Sequence, residues 1–486
     1  MKKYVLIIVT LLALSLVLIA CQSAGEEPTT APTAEASAEE PTEEPVAEEP
    51  TEEPMEEPTE APAAEEPTEE PLEEPTEEPA TEEPATEEPE EDIIASCPPG
   101  DVELNIVYPG RLGPSVPVAV ETMQESYPGL TFNLSDASSS YVDTLQQVVA
   151  DTAAGAAPDV VMASLGQVGF YVERLGAQPI DTSILSDTYD ERYLEAGTID
   201  GTVYAIPTQI SIPLIIWNQD IFEQAGLDPE APPQTIPEMV AYAEQIQEQA
   251  PDVVPTFLPT SIVYDWIFQN MVQSAGGSIA DENGQPAFNS EAGLAALQPW
   301  SVLNQNGLGL GIAGLDGFGA FHEGQVGMAF TASSQIGGHT GAIGDAFAWS
   351  VAPMPVPEGG EPRFAAGGNS WVVLTDEPCR AQYAQEFIAA TVTPETQAEF
   401  AQVTGYIPVD EEAREILSDF YAENPNFAVS ANYDGELTPW LSFSGEHAFE
   451  ASEEFRTLLE SVASGADPAE ALAETEAAIE EILARD

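Results

Sequence analysis

The chain has 486 residues and a formal net charge of −76, with 86 acidic residues against 10 basic ones. That length suits two or three domains at roughly 150 residues each. So negative a surface repels phosphate backbones and anionic lipid, which argues against nucleic acid as a partner, and it reads as a solubility or high-salt surface before it reads as a site for a cationic ligand.

Lys2 and Lys3 are the only lysines, and an apolar run from Tyr4 to Ala20 follows them. Together they match the n-region and h-region of a secretory signal over residues 1–20. Leu18-Ile19-Ala20-Cys21 resembles the bacterial lipoprotein lipobox. That resemblance implies an acylated Cys21 as the mature N-terminus, held by its lipid at the outer face of the cytoplasmic membrane. Stable anchoring of this kind takes more than one acyl chain, each methylene contributing about 0.8 kcal/mol. Between Glu26 and Asp92 lie 29 carboxylates, 14 prolines and no basic residue, in a degenerate Glu-Glu-Pro-Thr repeat. Such a segment buries too little apolar surface to offset chain entropy, and its prolines forbid a helix. Residues 21–96 are therefore expected to form a disordered, extended stalk.

After Cys97-Pro98-Pro99-Gly100 the texture changes. Val102, Leu104, Ile106 and Tyr108 alternate with Glu103, Asn105 and Val107, a strand pattern. A helix over about 118–126, a strand in GLTFNL, a helix in SYVDTLQQVVADTAAG ending at Gly155 and a buried strand in DVVMAS follow. This order is the βαβ signature of a parallel sheet covered by helices. Further along, IPLIIWN reads as a strand, helices are expected near 219–225 and 237–249, and residues 446–485 read as mostly helical. A body of this size exceeds one comfortable core, so two α/β lobes are predicted.

Catalytic apparatus is hard to find. His322, His339 and His447 show no i,i+4 pairing, no Cys/His cluster has zinc spacing, and no Gly-x-Ser-x-Gly elbow occurs. One Gly-x-Gly-x-x-Gly, Gly309 to Gly314, follows a helical stretch where a dinucleotide site needs a strand, so it reads as a loop. No metal or cofactor is expected. Paired carboxylates suited to glycoside hydrolysis cannot be singled out among so many acids. Cys97 and Cys379 remain once Cys21 is lipidated; outside the membrane they are a candidate disulfide, with two buried thiols as the alternative.

Four segments in register carry a resemblance: GTVYAIPTQISIPLIIWNQDIFEQAGLDPEAPPQTIPEM, FGAFHEGQVGMAFTASSQIGG, AAGGNSWVVL and FAQVTGYIPV. Over roughly residues 101–486 the chain resembles family 1 extracellular solute-binding proteins. Within that family, TASS, GGNS, TGYIP and DFYAENP are most similar to the glycerol-3-phosphate-binding branch. The chain departs from the family with Ile236 in place of the usual tryptophan, and no basic residue stands near TPWLSFSGEH, where that branch carries an arginine for phosphate. A neutral sugar is favoured on that ground.

The resemblance implies an α/β two-lobe periplasmic-binding-protein fold, with residues 97–210 and 335–393 in the N-terminal lobe and 211–334 and 394–486 in the C-terminal lobe. It implies a monomeric, non-enzymatic receptor that closes on a sugar or oligosaccharide, by crossings near 208–214, 329–335 and 391–396, and hands it to an ABC permease. The alternatives are a glycerol-3-phosphate or glycerophosphodiester receptor and a lipid-anchored glycoside hydrolase. Matched motif by motif, the expected ligand contacts are Tyr141, Gln167, Ser211, Trp266, Ser333, Gly368, Asn369 and Tyr406, with Trp440 as a further aromatic. Amide, hydroxyl and aromatic groups suit the hydroxyl edges and C–H faces of a sugar. Trp217 beside Ile216 and Trp371 beside Val372 are assigned to the core, as is Trp349, between Ala348 and Ser350 on an apparent strand.

Overall fold

The computed structural model describes residues 96–485, apart from 111–112, 137, 139, 261–263, 282, 310–315, 442, 444 and 446. The signal segment, Cys21, the stalk up to residue 95 and positions 310–314 of the glycine-rich run lie outside the described residues.

Strand β1 (Glu103–Val107) buries Leu104, Ile106 and Val107 and leaves Glu103 exposed. β2 (Thr131–Ser135) and β3 (Val160–Ser164) flank it, both parallel to it. The connecting helices are Ser115–Ser126 and Tyr141–Ala153, the crossovers that parallel pairing requires. The second begins where the Ser140 hydroxyl accepts from the Asp143 N–H at 3.1 Å, an N-cap. A short hairpin of β4 (Thr198–Ile199) and β5 (Thr202–Val203) leads into β6 (Ala205–Ser211), and Ile212 alone separates β6 from β7 (Pro213–Asn218).

At β7 the chain changes sheets. β7 pairs antiparallel with β9 (Val326–Ala332), which runs parallel to β8 (Val254–Phe257) on its other side. β10 (Trp349–Pro353) takes the free edge of β7, Trp349 opposite Asn218 and Pro353 opposite Leu214. The second sheet is therefore ordered β10-β7-β9-β8, and the first is β2-β1-β3-β12-β6, with β12 (Gly367–Val373) inserted antiparallel between β3 and β6. Every position of β3, β6, β7, β9 and β12 is buried, as expected of strands covered on both faces. Trp217 and Trp371 are core residues, while Trp349 is only partly buried.

The sheet membership corrects one boundary. Residues 335–393 were expected in the first lobe as a block, yet β10 belongs to the second sheet. The return to the first sheet comes only at β12. A strand such as AWSVAP fits any open edge, so its partner is chosen by the tertiary fold and not by its own pattern. Next to the return, β11 (Arg363–Ala365) pairs in parallel with β13 (Glu436–Thr438), and the Ala366 N–H donates to the Thr438 carbonyl at 2.8 Å.

Cys97 and Cys379 form a disulfide that ties the start of the body to helix Pro378–Thr391, 282 positions away. The Tyr383 hydroxyl donates to the Cys97 carbonyl at 2.7 Å. In the second lobe His339 is buried among Phe318, Phe321 and Trp349, hydrogen-bonded to His322 and to Thr331, both at 2.8 Å. Burial, with His322 beside it, pushes the His339 imidazole down to about 3.

Candidate solute site

The first face of the site grows from the strand ends of the first sheet. The antiparallel registers set Asn369 of β12 opposite Ser164 at the end of β3, and opposite Gln209 of β6. The Asn369 carboxamide is wholly buried. Its Nδ2 donates to the Tyr141 hydroxyl at 3.0 Å and to Gln209 Oε1 at 2.6 Å, and its Oδ1 accepts from Thr208 Oγ1 at 2.7 Å. Tyr141, first residue of its helix, and Gln167, in the turn after β3, are both partly exposed. Gln167 Oε1 accepts from the Ser164 N–H at 3.3 Å, and its Nε2 lies 3.5 Å from the Tyr141 carbonyl. Tyr141, Gln167 and Asn369 thus stand together at the carboxyl ends of parallel strands, where open α/β sheets hold ligands. Gly368 has a φ of +119°, and a Cβ there would collide with the Gln209 carbonyl, so its bare backbone is what lets β12 pair with β6.

Ser211 and Ser333 meet where the first two crossings run side by side. Ser333 Oγ donates to Ser211 Oγ at 3.0 Å and accepts from the Ile212 N–H at 3.2 Å, while the Ser333 N–H donates to the Ile212 carbonyl at 3.0 Å. Both hydroxyls are buried in stitching the crossings together. Tyr406 is buried as well, stacked on Phe400 at 5.7 Å, and Ile407 beside it bridges to Ile210 of β6.

The second face is aromatic. Trp440, which is partly buried, lies against Gly166 in the turn after β3, where an added Cβ would sit 2.9 Å from the indole. Its ring centroid is 5.9 Å from that of Trp266 in helix Tyr264–Ser274. Trp266 is itself fully buried beneath Gly367, with its N–H donating to the Ala365 carbonyl at 2.9 Å, so it backs Trp440 from the core side. Next to it, Asp265 lines one small cavity together with Trp440, and burial pushes the Asp265 carboxyl up to about 6. Thr208, Gln209 and Asp265 escaped sequence reasoning. Thr208 and Gln209 left only their place in the crossing near 208–214, and Asp265 only its place beside a tryptophan already singled out.

Among the described residues, Arg192, Arg363, Arg380, Arg414, Arg456 and Arg485 each lie within 4.0 Å of a carboxylate. No group of three or more His, Cys, Asp or Glu side chains among the described residues is placed to hold a metal ion. No helix of the described residues is long and apolar enough to cross a membrane. What the arrangement offers is recognition of polar hydroxyls against an indole.

Two sheets joined by short crossings define a two-lobe α/β protein. The profile of bacterial extracellular solute-binding proteins matches residues 119–429, and the chain belongs to that family. It is 27% identical over 275 residues to the sn-glycerol-3-phosphate-binding periplasmic protein of Rhizobium meliloti, covering 53% of this chain and 59% of that one. The fold is shared with the cyclic alpha-maltosyl-1,6-maltose binding protein of Arthrobacter globiformis, at a TM-score of 0.66 and 24% identity over 79% of this chain and 99% of that one. It is shared equally with UgpB of Mycobacterium tuberculosis in complex with glycerophosphocholine, at a TM-score of 0.67 and 22% identity over 78% of this chain and 98% of that one.

Proposed function

We propose that this chain is a lipid-anchored receptor that captures a neutral sugar or oligosaccharide between its lobes and delivers it to an ABC import permease. The observation that carries the reading is the pairing of the Asn369–Tyr141–Gln167 cluster, all neutral donors and acceptors, with the Trp440 indole across from Gly166. Sugars present hydroxyl edges to the first and C–H faces to the second. The commitment of six described arginines to carboxylates weighs against a phosphate as the recognised group. Cyclic maltosyl-maltose and glycerophosphocholine, bound by two proteins of the same fold, are the natural first members of a ligand panel.

Closure supplies the mechanism. Solute touching both faces favours the closed arrangement by the difference in affinity between closed and open states. The crossings stitched by Ser211 and Ser333 absorb the rotation, and the stretch 391–396 joins them as the third hinge. No bond in the solute is broken, and the receptor acts as a monomer tethered through Cys21 outside the cytoplasmic membrane. A thermal-shift screen of the mature chain over maltotriose, cyclic maltosyl-maltose, glycerol-3-phosphate, glycerophosphocholine and spermidine tests the reading. A sugar that raises the midpoint and is recovered intact is the expected result. Response to the phosphates alone would replace the sugar by a glycerophosphate ligand, and turnover of the sugar would make the chain a hydrolase.

A further inference from the structure

β6 is the edge strand of the first sheet, and two segments are laid beside it. The Tyr189 hydroxyl donates to the Pro207 carbonyl of β6 at 2.8 Å, and Ile407 bridges to Ile210. The segments are also tied to each other. The Asp190 N–H donates to the Val409 carbonyl at 2.8 Å and the Glu411 N–H to the Thr188 carbonyl at 2.9 Å. The buried Asp410 carboxylate accepts from the Ser186 and Thr188 hydroxyls at 2.7 and 2.8 Å. A second wall faces them. Helix Pro425–Ala431 leans on the second sheet, Asn426 Nδ2 donating to the Trp349 carbonyl of β10 at 3.3 Å. Just past it, Tyr433 stacks on Phe364 of β11 at 5.6 Å. Between the walls lies an open crevice of about 500 Å³, with Arg192, Glu411 and Arg414 on one side and Asn432, Tyr433 and Asp434 on the other.

The first wall is built around one carboxylate. Asp190 Oδ2 accepts from Arg192 Nε at 2.8 Å and from Arg414 Nη2 at 3.0 Å, with 12% of the Asp190 side chain exposed. Arg192 Nη2 also donates to the Tyr193 hydroxyl at 3.0 Å, and its guanidinium lies 4.9 Å over that ring. Both guanidiniums are thus held in place before any ligand arrives. Each carries more N–H donors than these bonds use, and two positive charges share a single oxygen. A carboxylate fits such a fork. The rim has the opposite sign. Glu411, 70% exposed, sits 3.8 Å from Arg414, and Asp434 is exposed on the far wall.

Each simple class of ligand meets an opposing charge here. A bare anion bound for the arginines passes two rim carboxylates, on a chain of net charge −76. A bare cation drawn to the rim meets two guanidiniums behind it, and a neutral sugar uses neither sign. We propose that the crevice is a second binding site, for a small zwitterion with a carboxylate at one end and an ammonium at the other, as in a free amino acid. The carboxylate accepts from Arg192 and Arg414, and the ammonium faces Asp434 and the Tyr433 ring across the gap. The occupant touches both walls, one laid on the first sheet and one carried by the second. The site shares no residue with Tyr141, Gln167 and Trp440, and it does not depend on the solute being a sugar.

The test uses the mature full chain in saturation-transfer NMR titrations at pH 7 and low salt, with L-alanine, acetate and methylammonium as probes. L-Alanine should bind about tenfold more tightly than either single-charge probe, the scale of a second charge-assisted contact. Arg192→Gln on the first wall should weaken L-alanine about tenfold, and Asp434→Asn on the second about fivefold. Both side chains reach solvent, so the unfolding midpoint should stay where it is in each variant. Gln167→Ala, in the solute site, should leave L-alanine binding unmoved. No binding of L-alanine, or binding no tighter than that of acetate, overturns the proposal. Loss in Arg192→Gln with none in Asp434→Asn also overturns it, leaving an anion on one wall. Loss in Gln167→Ala with none in Arg192→Gln overturns it as well, and puts the amino acid in the solute site in place of the sugar.

Discussion

The two sides of the proposed solute site are built by opposite means. On the first, polar groups sit at strand ends, and one buried carboxamide, Asn369, orients Tyr141, Gln209 and Thr208 through backbone register. On the second, a single indole is placed by side chains of one helix reaching a segment about 170 positions away. The first face is rigid because a sheet defines it, and any change there disturbs the lobe itself. The second is adjustable, because Trp440 can be altered without touching a strand. On the proposed reading, specificity for solute hydroxyls goes with stability on one side, and stacking goes with tunability on the other.

The largest expected effect lies in the first lobe. Replacing Cys97 and Cys379 by serine opens a closed loop of 282 positions and should cost about 5.6 kcal/mol by the chain-entropy account, read from denaturation midpoints with and without the substitutions. Asn369→Leu should follow at about 3 kcal/mol, because it strands buried Thr208 and Gln209 without their partner. It should abolish solute binding at the same time; loss of binding with stability unchanged would separate the two properties that the first face is said to combine.

On the second face the order reverses. Trp440→Ala should weaken sugar binding by about 2 kcal/mol, the scale of one aromatic contact, while leaving the unfolding midpoint nearly unmoved. A stability loss as large as that of Asn369→Leu would mean that Trp440 is core and not wall. The smallest effect concerns acid. His339 holds its proton far less readily in the folded lobe, at about 3, than in the unfolded chain at 6.5. The unfolded state therefore binds more protons below 6.5, and stability present above that pH is lost as the pH falls towards 3. The slope is at most about 1.4 kcal/mol per unit. Relief of carboxylate repulsion works the other way, so the comparison of denaturation midpoints at pH 7 and 5 is made against His339→Leu, which should lack the His contribution.

The same contrast explains what the sequence disclosed. β1 and β3 show themselves by alternation and by an unbroken apolar run, and helix Gln219–Ala225 falls where its pattern sets it. Tyr141, Gln167 and Asn369 follow elements that local signals mark, so their hydrogen-bonded proximity near the end of β3 was legible once the parallel order was assumed. Ser211 and Ser333 were legible as crossing residues, though not the bond between them. Gln269 and Gln273, whose amides meet Pro439 and Thr438, were silent, since a stripe of amides on a helix reads as a solvated face until its partner segment is known. β10 was misassigned for the same cause, a pairing chosen far from its own residues.

The central claim is that one solute is gripped by both faces at once. Its most direct test is the dissociation constant for the same sugar, measured by calorimetry at pH 7.5, in Gln167→Ala from the first face and Trp440→Ala from the second. Both should weaken binding by about tenfold or more, the worth of a lost polar contact or a lost aromatic one. A constant within twofold of wild type for either variant, in folded protein, would leave the solute on one face alone and contradict the account.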